Sequence, residues 1–173
     1  MLHAGEMGHV MVVDCDDFVS RRLTSFVAAN SQENGWYMRD GYVWDEGGRI
    51  LFLFPDFSHL CGSSHVIRAD LYQLPSSFDA ADELYIKRML GSHIFLREHL
   101  DQTGNPLVPL PFPGAIYRTN HSESVSRSGS TLTKYFFRRQ ILTNPAVFYQ
   151  RVRRLQLKTP RIEKEFMGSA VIS

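Results

Sequence analysis

The stretch that most constrains the fold is residues 8–27, which read GHVMVVDCDDFVSRRLTSFV. The uninterrupted apolar run at residues 10–13 predicts a strand buried on both faces, because it offers no polar side to solvent. This run leads directly into Asp14, Asp16 and Asp17, which we call the acidic corner. The next segment predicts a helix, with Asp16 or Asp17 as its N-cap. Its apolar residues are spaced close to one helical face: Phe18, Val19, Leu23, Phe26 and Val27.

The rest of the pattern predicts an α/β or α+β fold, with a central sheet flanked by helices and a basic helical C-terminal extension. The clearest element is a hairpin, because an Asp-Glu-Gly-Gly turn at residues 45–48 separates two apolar runs. Ser76 and Asp79 form a capping box ahead of a helix that ends near Gly91. The predicted strands are residues 36–44, 49–54 and 66–74, and a second helix is predicted at residues 92–101.

A proline-rich stretch suggests how the chain is divided. Residues 105–114, NPLVPLPFPG, contain four prolines, too many for a regular element, and predict an extended connector. The predicted organisation is an acidic α/β domain at 1–104, a connector and polar loop at 105–130, and a basic helical segment at 131–173.

Charge is unevenly distributed along the chain. Residues 1–118 contain nine Lys and Arg against fifteen Asp and Glu, whereas residues 119–173 contain ten against three. The formal net charge of +1 is therefore the sum of an acidic first part and a basic end. A basic end of this kind is typical of proteins that contact nucleic acid, an anionic membrane surface or an acidic protein surface. We predict nucleic acid or an acidic protein surface as the partner, with no membrane contact and with an oligomer possible.

The basic segment predicts two successive helices. The second begins with Asn144 as N-cap and Pro145 at its first position. Phe148, Val152 and Leu155 then share one face, which directs nearby arginines away from it. The predicted phosphate-contacting residues are Lys134, Arg138, Arg139, Arg151, Arg153 and Arg154. The alternative is a helical hairpin packed against the acidic domain.

The acidic corner is a candidate metal site. Several carboxylates at the end of a strand can bind Mg²⁺ through oxygen ligands, and α/β proteins bind ligands at that end of the sheet. The predicted metal ligands are Asp14, Asp16 and Asp56, and Mg²⁺ is the only cofactor considered; the alternative is no cofactor, with one Asp capping the helix and the others solvated.

Residues 10–27 resemble the first strand and helix of bacterial response-regulator receiver domains, in which an acidic pair holds Mg²⁺ and an Asp after the third strand accepts a phosphoryl group. Asp14 matches the first acid of the pair, Cys15 stands at the second, and Asp16 follows. The phosphoacceptor would be Asp56, displaced beyond Pro55. The resemblance implies a degenerate receiver-like domain that is not phosphorylated in the usual way.

Two other resemblances also indicate signalling. Residues 42–62, YVWDEGGRILFLFPDFSHLCG, resemble the opening strands of a PAS sensory domain. DCDDF followed by GGRILFLFP is similar to part of a degenerate diguanylate-cyclase domain. All three families are regulatory.

Catalytic motifs elsewhere are lacking: the sequence has no HExxH, paired CxxC, Walker loop or GxSxG. Cys61 with His59 or His65 is a possible thiolate pair, although a structural cysteine is the commoner outcome. Two cysteines and no signal peptide predict a reducing, cytoplasmic location.

We therefore predict a non-enzymatic regulatory protein with a signalling-type domain and a basic segment for nucleic-acid contact. One alternative is a structural or adaptor subunit of a larger assembly. The other is a Mg²⁺-dependent phosphoryl-transfer enzyme that uses Asp14 and Asp16.

Overall fold

The computed structural model describes residues 8–73, 82–120 and 144–168. It confirms the fold class in its α+β form, with two mixed sheets. The strands are β1 His9–Met11, β2 Phe18–Val19, β3 Gly35–Tyr37, β4 Asp40–Asp45, β5 Ile50–Pro55, β6 His65–Arg68, β7 Val108–Pro109, β8 Ala115–Thr119 and β9 Leu155–Leu157. The helices are α1 Arg22–Ala29, α2 Glu83–Met89, α3 His93–Gln102, α4 Pro145–Val152 and α5 Pro160–Phe166, with 3₁₀ turns at Phe57–His59 and Ala69–Tyr72.

The two sheets differ in size and order. The first sheet has the order β1-β6-β3-β7, with antiparallel pairs except for the parallel pair β3–β7. The second has the order β2-β8-β4-β5-β9, and its one parallel pair is β4–β8. The predicted hairpin is confirmed as β4–β5, and its turn is closed by the Gly48 N–H donating to the Asp45 carbonyl at 2.9 Å. The prediction of one strand at residues 36–44 is wrong, because that range is divided between β3 of the first sheet and β4 of the second.

Side chains alternate across both sheets and create three cores. Trp36 and Val66 of the first sheet share a central cluster with Val43 and Phe52 of the second, and α1 packs against it. The opposite face of the first sheet contributes Ile67 to a cluster with α2 and α3. The opposite face of the second sheet packs on α5 through these residues: Tyr42, Trp44, Leu51, Ile116 and Phe166. The fold is therefore layered, with α2 and α3 on the opposite face of the first sheet, α5 on that of the second, and α1 against the cluster that the two sheets share.

The prediction of a strand buried on both faces at residues 10–13 is wrong. Strand β1 lies at the edge of the first sheet and pairs only with β6 among the described strands. Its residues are half-buried, and Val13, beyond its end, is 43% exposed. Only Val10 and Met11 of the apolar run belong to this edge strand, which is incompletely buried because a single neighbouring strand covers less of it than two would.

The predicted start of the first helix is also wrong. Phe18 and Val19 form strand β2, paired with Ile116 and Ala115, since aromatic and β-branched residues favour a strand. Helix α1 begins at Arg22, whose N–H donates to the Ser20 hydroxyl at 3.2 Å. Neither predicted aspartate is therefore the N-cap of this helix.

The two helices that precede the proline-rich stretch have side-chain caps. The helix predicted at residues 92–101 is confirmed as α3, where Ser92 accepts from the Phe95 N–H. Helix α2 is capped by Asp82, whereas the predicted capping residues Ser76 and Asp79 lie outside the described residues. The strand predicted at 66–74 is shorter than expected, because β6 ends at Arg68 and a 3₁₀ turn follows.

The proline-rich stretch is integrated with both sheets. Its residues Leu107 and Leu110 are buried, and Val108 and Pro109 form β7. Strand β8 follows and lies between β2 and β4. The division of the chain at residues 105–130 remains a prediction, since much of that segment lies outside the described residues.

Candidate functional site

Asp17 is the member of the acidic corner that the fold has enclosed. Its carboxylate accepts hydrogen bonds from the Cys61 thiol at 3.1 Å, from the Arg118 backbone N–H at 3.4 Å and from the Ser63 hydroxyl. Ser63 Oγ in turn accepts from the backbone N–H of Asp14 at 2.8 Å. The carboxylate thus connects the segment after β1 with strand β8 and with the loop before β6.

The electrostatics of this corner do not favour a nucleophile. Burial raises the pKa of Asp17, and the hydrogen bonds from Ser63, Cys61 and Arg118 oppose that rise. Burial, followed by the nearby charge of Asp17, raises the pKa of the Cys61 thiol above its usual range. The thiol donates to Asp17 and not to a histidine, so the possible thiolate pair with His59 or His65 is not formed.

The predicted metal ligands are divided between two places. Asp14 is exposed beside Gly62, and Asp16 follows in the same turn. Asp56 lies after β5 with a left-handed φ of 62° and pairs with His59 Nδ1 at 2.5 Å. Across the three described ranges, no group of three or more His, Cys, Asp or Glu is placed to hold a metal. Mg²⁺ binding by these aspartates remains a prediction.

The basic segment is only partly described. Lys134, Arg138 and Arg139 lie outside the described residues. Helix α4 begins as predicted, with the Asn144 side chain accepting from the Val147 N–H at 3.3 Å and Pro145 at the first position.

The second basic helix is shorter than predicted. Helix α4 ends at Val152, and Leu155 belongs to strand β9, which pairs with β5. A basic helical extension is therefore not confirmed. Phe148 and Val152 were expected on a buried face, but each is about 40% exposed. The alternating Leu-Gln-Leu of β9 extends the second sheet, and this pairing ends the helical run.

The arginines of this segment surround the end of α4. The Arg153 guanidinium lies 5.8 Å from the ring of Tyr149, which is 62% exposed. The Arg154 carbonyl accepts from the Leu53 N–H at 2.9 Å, which fixes the backbone here to the second sheet. Arg151 occupies the last turn of the helix. We call Tyr149, Arg151, Arg153 and Arg154 the basic surface.

A second feature, absent from the sequence-based predictions, is a cavity of about 260 Å³ between the first sheet and helices α2 and α3. His65 from β6 and His93 from α3 both line it. The Nε2 atom of each is buried and has no hydrogen-bond partner among the described residues. Only tertiary folding brings together two histidines 28 positions apart, so no spacing motif could have revealed the pair.

Comparison of the chain with protein-family models, with curated proteins and with solved structures finds no match. The receiver-like, PAS-like and diguanylate-cyclase-like resemblances remain predictions. Within the described ranges, no helix is both long and apolar enough to cross a membrane.

Proposed function

We propose that this protein is a non-enzymatic regulatory protein that contacts nucleic acid through its basic surface. The observation that carries the proposal is the exposed Tyr149 ring beside Arg153, on a backbone that Arg154 ties to the second sheet. An exposed aromatic ring offers a stacking face for a base, and neighbouring guanidinium groups neutralise phosphates.

Charge in the described part of the C-terminal segment supports this proposal. Residues 144–168 contain six Lys and Arg and two Glu, a net charge of +4. Lys158 is paired with Glu163, whereas the described partners of Arg153 are the Tyr149 ring and backbone groups. Arginine in this setting suits bidentate contact with phosphate.

The hydrogen bonding of Asp17 argues against catalysis by the enclosed groups of the acidic corner. The enclosed Asp17 carboxylate has hydrogen-bond donors from Cys61, Ser63 and Arg118. Because these groups satisfy one another, they stabilise the fold and are not available for nucleophilic or acid–base chemistry.

A structural or adaptor subunit is the second candidate, favoured by apolar exposure around the same segment. Phe148 and Val152 are exposed on α4, and Leu157 on the outer strand β9 is 67% exposed. Such groups are typical of surfaces that another protein covers, including a second copy of the chain. In this case the arginines would contact an acidic protein surface.

Mg²⁺-dependent phosphoryl transfer is the third candidate, based on Asp14 and Asp16 with Asp56. Millimolar Mg²⁺ should raise the melting temperature if these carboxylates bind it in the native state, and Asp14→Ala should abolish the rise. We expect little or no rise, because Cys15 replaces one expected acid and Asp56 is paired with His59. A clear rise that Asp14→Ala removes would contradict this expectation.

We also propose a cytoplasmic location. Cys15 and Cys61 are both free thiols, one exposed and one buried, which suits a reducing compartment.

The proposal is tested by fluorescence anisotropy with labelled single-stranded DNA, single-stranded RNA and duplex DNA at low salt. The parent protein should bind at least one of them, and alanine at Arg151, Arg153 and Arg154 should weaken that binding by about tenfold or more, since each lost phosphate contact reduces affinity. The fold should survive, because Arg154 is anchored through its main-chain carbonyl.

A matched control separates site-specific contact from loss of net charge. Alanine at Arg21, Arg39 and Arg88 removes the same charge from exposed positions outside the basic surface and should leave most of the affinity intact. Equal weakening by both variants would show that only overall charge matters. A parent protein that binds none of the three nucleic acids at low salt would refute the proposal, and weaker self-association in the basic-surface variant would then favour the adaptor function.

A further inference from the structure

The cavity between the first sheet and helices α2 and α3 has a volume of about 260 Å³ and a largely apolar wall with a single acid. The apolar part of the lining is formed by Val12, Met89, Leu90 and Leu96. Asp14 is the one Asp, Glu, Lys or Arg side chain that lines the cavity. An apolar wall beside a carboxylate suits a ligand that is apolar over most of its surface and positively charged at one end.

The carboxylate of Asp14 is held in place and is free to bind. The backbone N–H of Asp14 donates to the Ser63 hydroxyl at 2.8 Å, which fixes the main chain at this position. The carboxylate lies against Gly62, where an added Cβ would come within 3.1 Å of Oδ2. The side chain is exposed and has no ion pair or hydrogen bond within the described ranges. Asp14 therefore presents an unpaired negative charge at the solvent-facing side of the cavity.

Neighbouring charges strengthen the preference for a cation at Asp14. Asp16 and Asp17 follow within three residues. Burial, followed by charges that include those of all three aspartates, raises the pKa of Tyr117, so the acidic corner acts as a common source of negative potential. Arg97 of α3 does not line the cavity, so no guanidinium or ammonium group of the described residues neutralises the acid at the lining.

Tyr72 adds a polar group to the same lining. It lies in the 3₁₀ turn after β6, is 2% exposed and lines the cavity. Its hydroxyl has no hydrogen-bond partner among the described residues, and it is not enclosed as the Nε2 atoms of His65 and His93 are. Because a hydroxyl of a buried residue needs a partner, Tyr72 offers the ligand an acceptor oxygen.

We propose that this cavity binds a small organic cation, an amine with an apolar body, whose ammonium group pairs with Asp14 while the body lies against Met89 and Leu96. The Tyr72 hydroxyl accepts a hydrogen bond from the ligand. The volume of about 260 Å³ limits the ligand to a small amine. The ammonium group stays near water at the exposed Asp14, so the ligand avoids most of the cost of burying a charge. This binding is independent of nucleic-acid contact, because the basic surface is formed by different elements.

The test uses isothermal titration of the whole protein with two probes, 3-phenylpropylamine and 4-methylpentylamine, and with the matched alcohol and carboxylate of each. At least one amine should bind saturably at millimolar concentration or below. It should bind about fivefold or more tightly than its alcohol, because the alcohol lacks the charge that pairs with Asp14, and the carboxylate should bind most weakly. Raising the salt concentration should weaken binding of the amine and leave that of the alcohol nearly unchanged.

Three variants locate the binding. Asp14→Asn keeps the shape of the side chain and should reduce the affinity for the amine to that for the alcohol, about fivefold or more. Tyr72→Phe removes only the hydroxyl and should weaken binding of the amine by about threefold or more. Val12→Trp fills the cavity from a half-buried position and should block the amine.

The matched control is Asp101→Asn. Asp101 is exposed on α3 and does not line the cavity. The substitution removes the same charge, so it should leave the affinity for the amine close to that of the parent.

Three results would overturn the proposal. The first is that neither amine saturates the parent protein. The second is that the matched alcohols or carboxylates bind as tightly, which would indicate that Asp14 does not select the ligand. The third is that Asp14→Asn or Val12→Trp, shown to be folded by circular dichroism, binds the amine as the parent does.

Discussion

Replacing Asp17 with alanine should destabilise the protein far more than any other change in the acidic corner. The substitution removes the acceptor for the Ser63 hydroxyl, the Cys61 thiol and the Arg118 N–H. Ser63 and Cys61 are essentially inaccessible to water. A buried neutral donor left without a partner costs about 1–3 kcal/mol, and a thiol less. Relief from burying the carboxylate offsets part of that cost. We therefore expect a loss of about 2–4 kcal/mol in the free energy of unfolding.

The assay is urea denaturation followed by circular dichroism at neutral pH, with free energies compared by linear extrapolation. The matched control is Asp14→Ala. Asp14 is exposed and contributes its main-chain N–H to Ser63, which alanine retains, so this variant should stay within about 0.5 kcal/mol of the parent. Equal and small effects of the two substitutions would refute the role given to Asp17.

The pH dependence provides a second check with a definite sign. The pKa of Asp17 is raised by burial above the ordinary value of 3.8 for an aspartate, so the folded state holds the proton more tightly than the unfolded state does. The contribution of Asp17 to stability is fully present below pH 3.8 and is lost as pH rises through its folded pKa. Asp17→Asn cannot ionise and so avoids this loss. As pH rises through that interval, the free energy of unfolding of the variant should therefore increase relative to that of the parent. The opposite change would contradict the burial argument.

Two further predictions concern packing and thiol reactivity. Gly41→Ala should destabilise the protein by about 1–3 kcal/mol, because the added Cβ would overlap the ring of the buried Phe57. Gly8→Ala, where nothing lies within 4 Å, should have little effect. If thermal melting showed equal stability for the two variants, the close contact between residue 41 and Phe57 would be wrong. Iodoacetamide should alkylate the exposed Cys15 in the native protein and Cys61 only after unfolding. Peptide mass spectrometry that found Cys61 labelled first would contradict its buried, protonated state.

Local sequence signals predicted those elements that depend on neighbouring residues. The turn at residues 45–48 defined the β4–β5 hairpin, because its glycines tolerate turn conformations. Asn144 defined the start of α4, since its side chain accepts from the backbone N–H group three residues later. These features need no information about distant parts of the chain.

Features that depend on tertiary pairing could not be predicted in the same way. The spacing of Phe18 and Val19 fits a helical face. They form a strand instead, because they pair with Ile116 and Ala115 of β8. Leu155 fitted the face of α4, but pairing with Phe52 placed it in β9. In each case a segment more than 90 residues away decided the local structure.

The candidate sites show the same limit. Sequence spacing drew attention to the acidic corner but did not reveal that Asp17 is the enclosed member, because its partners Cys61, Ser63 and Arg118 come from distant segments. The arginines of the basic surface could be identified from composition alone. The cavity histidines could not, since only the packing of α3 against the first sheet brings His93 close to His65.

The most direct test of nucleic-acid contact is the salt dependence of binding by the parent protein and by the variant with alanine at Arg151, Arg153 and Arg154. Using whichever nucleic acid binds at low salt, association constants are measured at several salt concentrations and plotted as log K against log salt. Each lost phosphate contact reduces the slope by about 0.9 for duplex DNA or about 0.7 for single strands, so three contacts predict a decrease of about 2–3. The expected result is this shallower slope with an unchanged melting temperature. Parallel slopes for the parent and the variant, or a parent that does not bind, would contradict the proposed function.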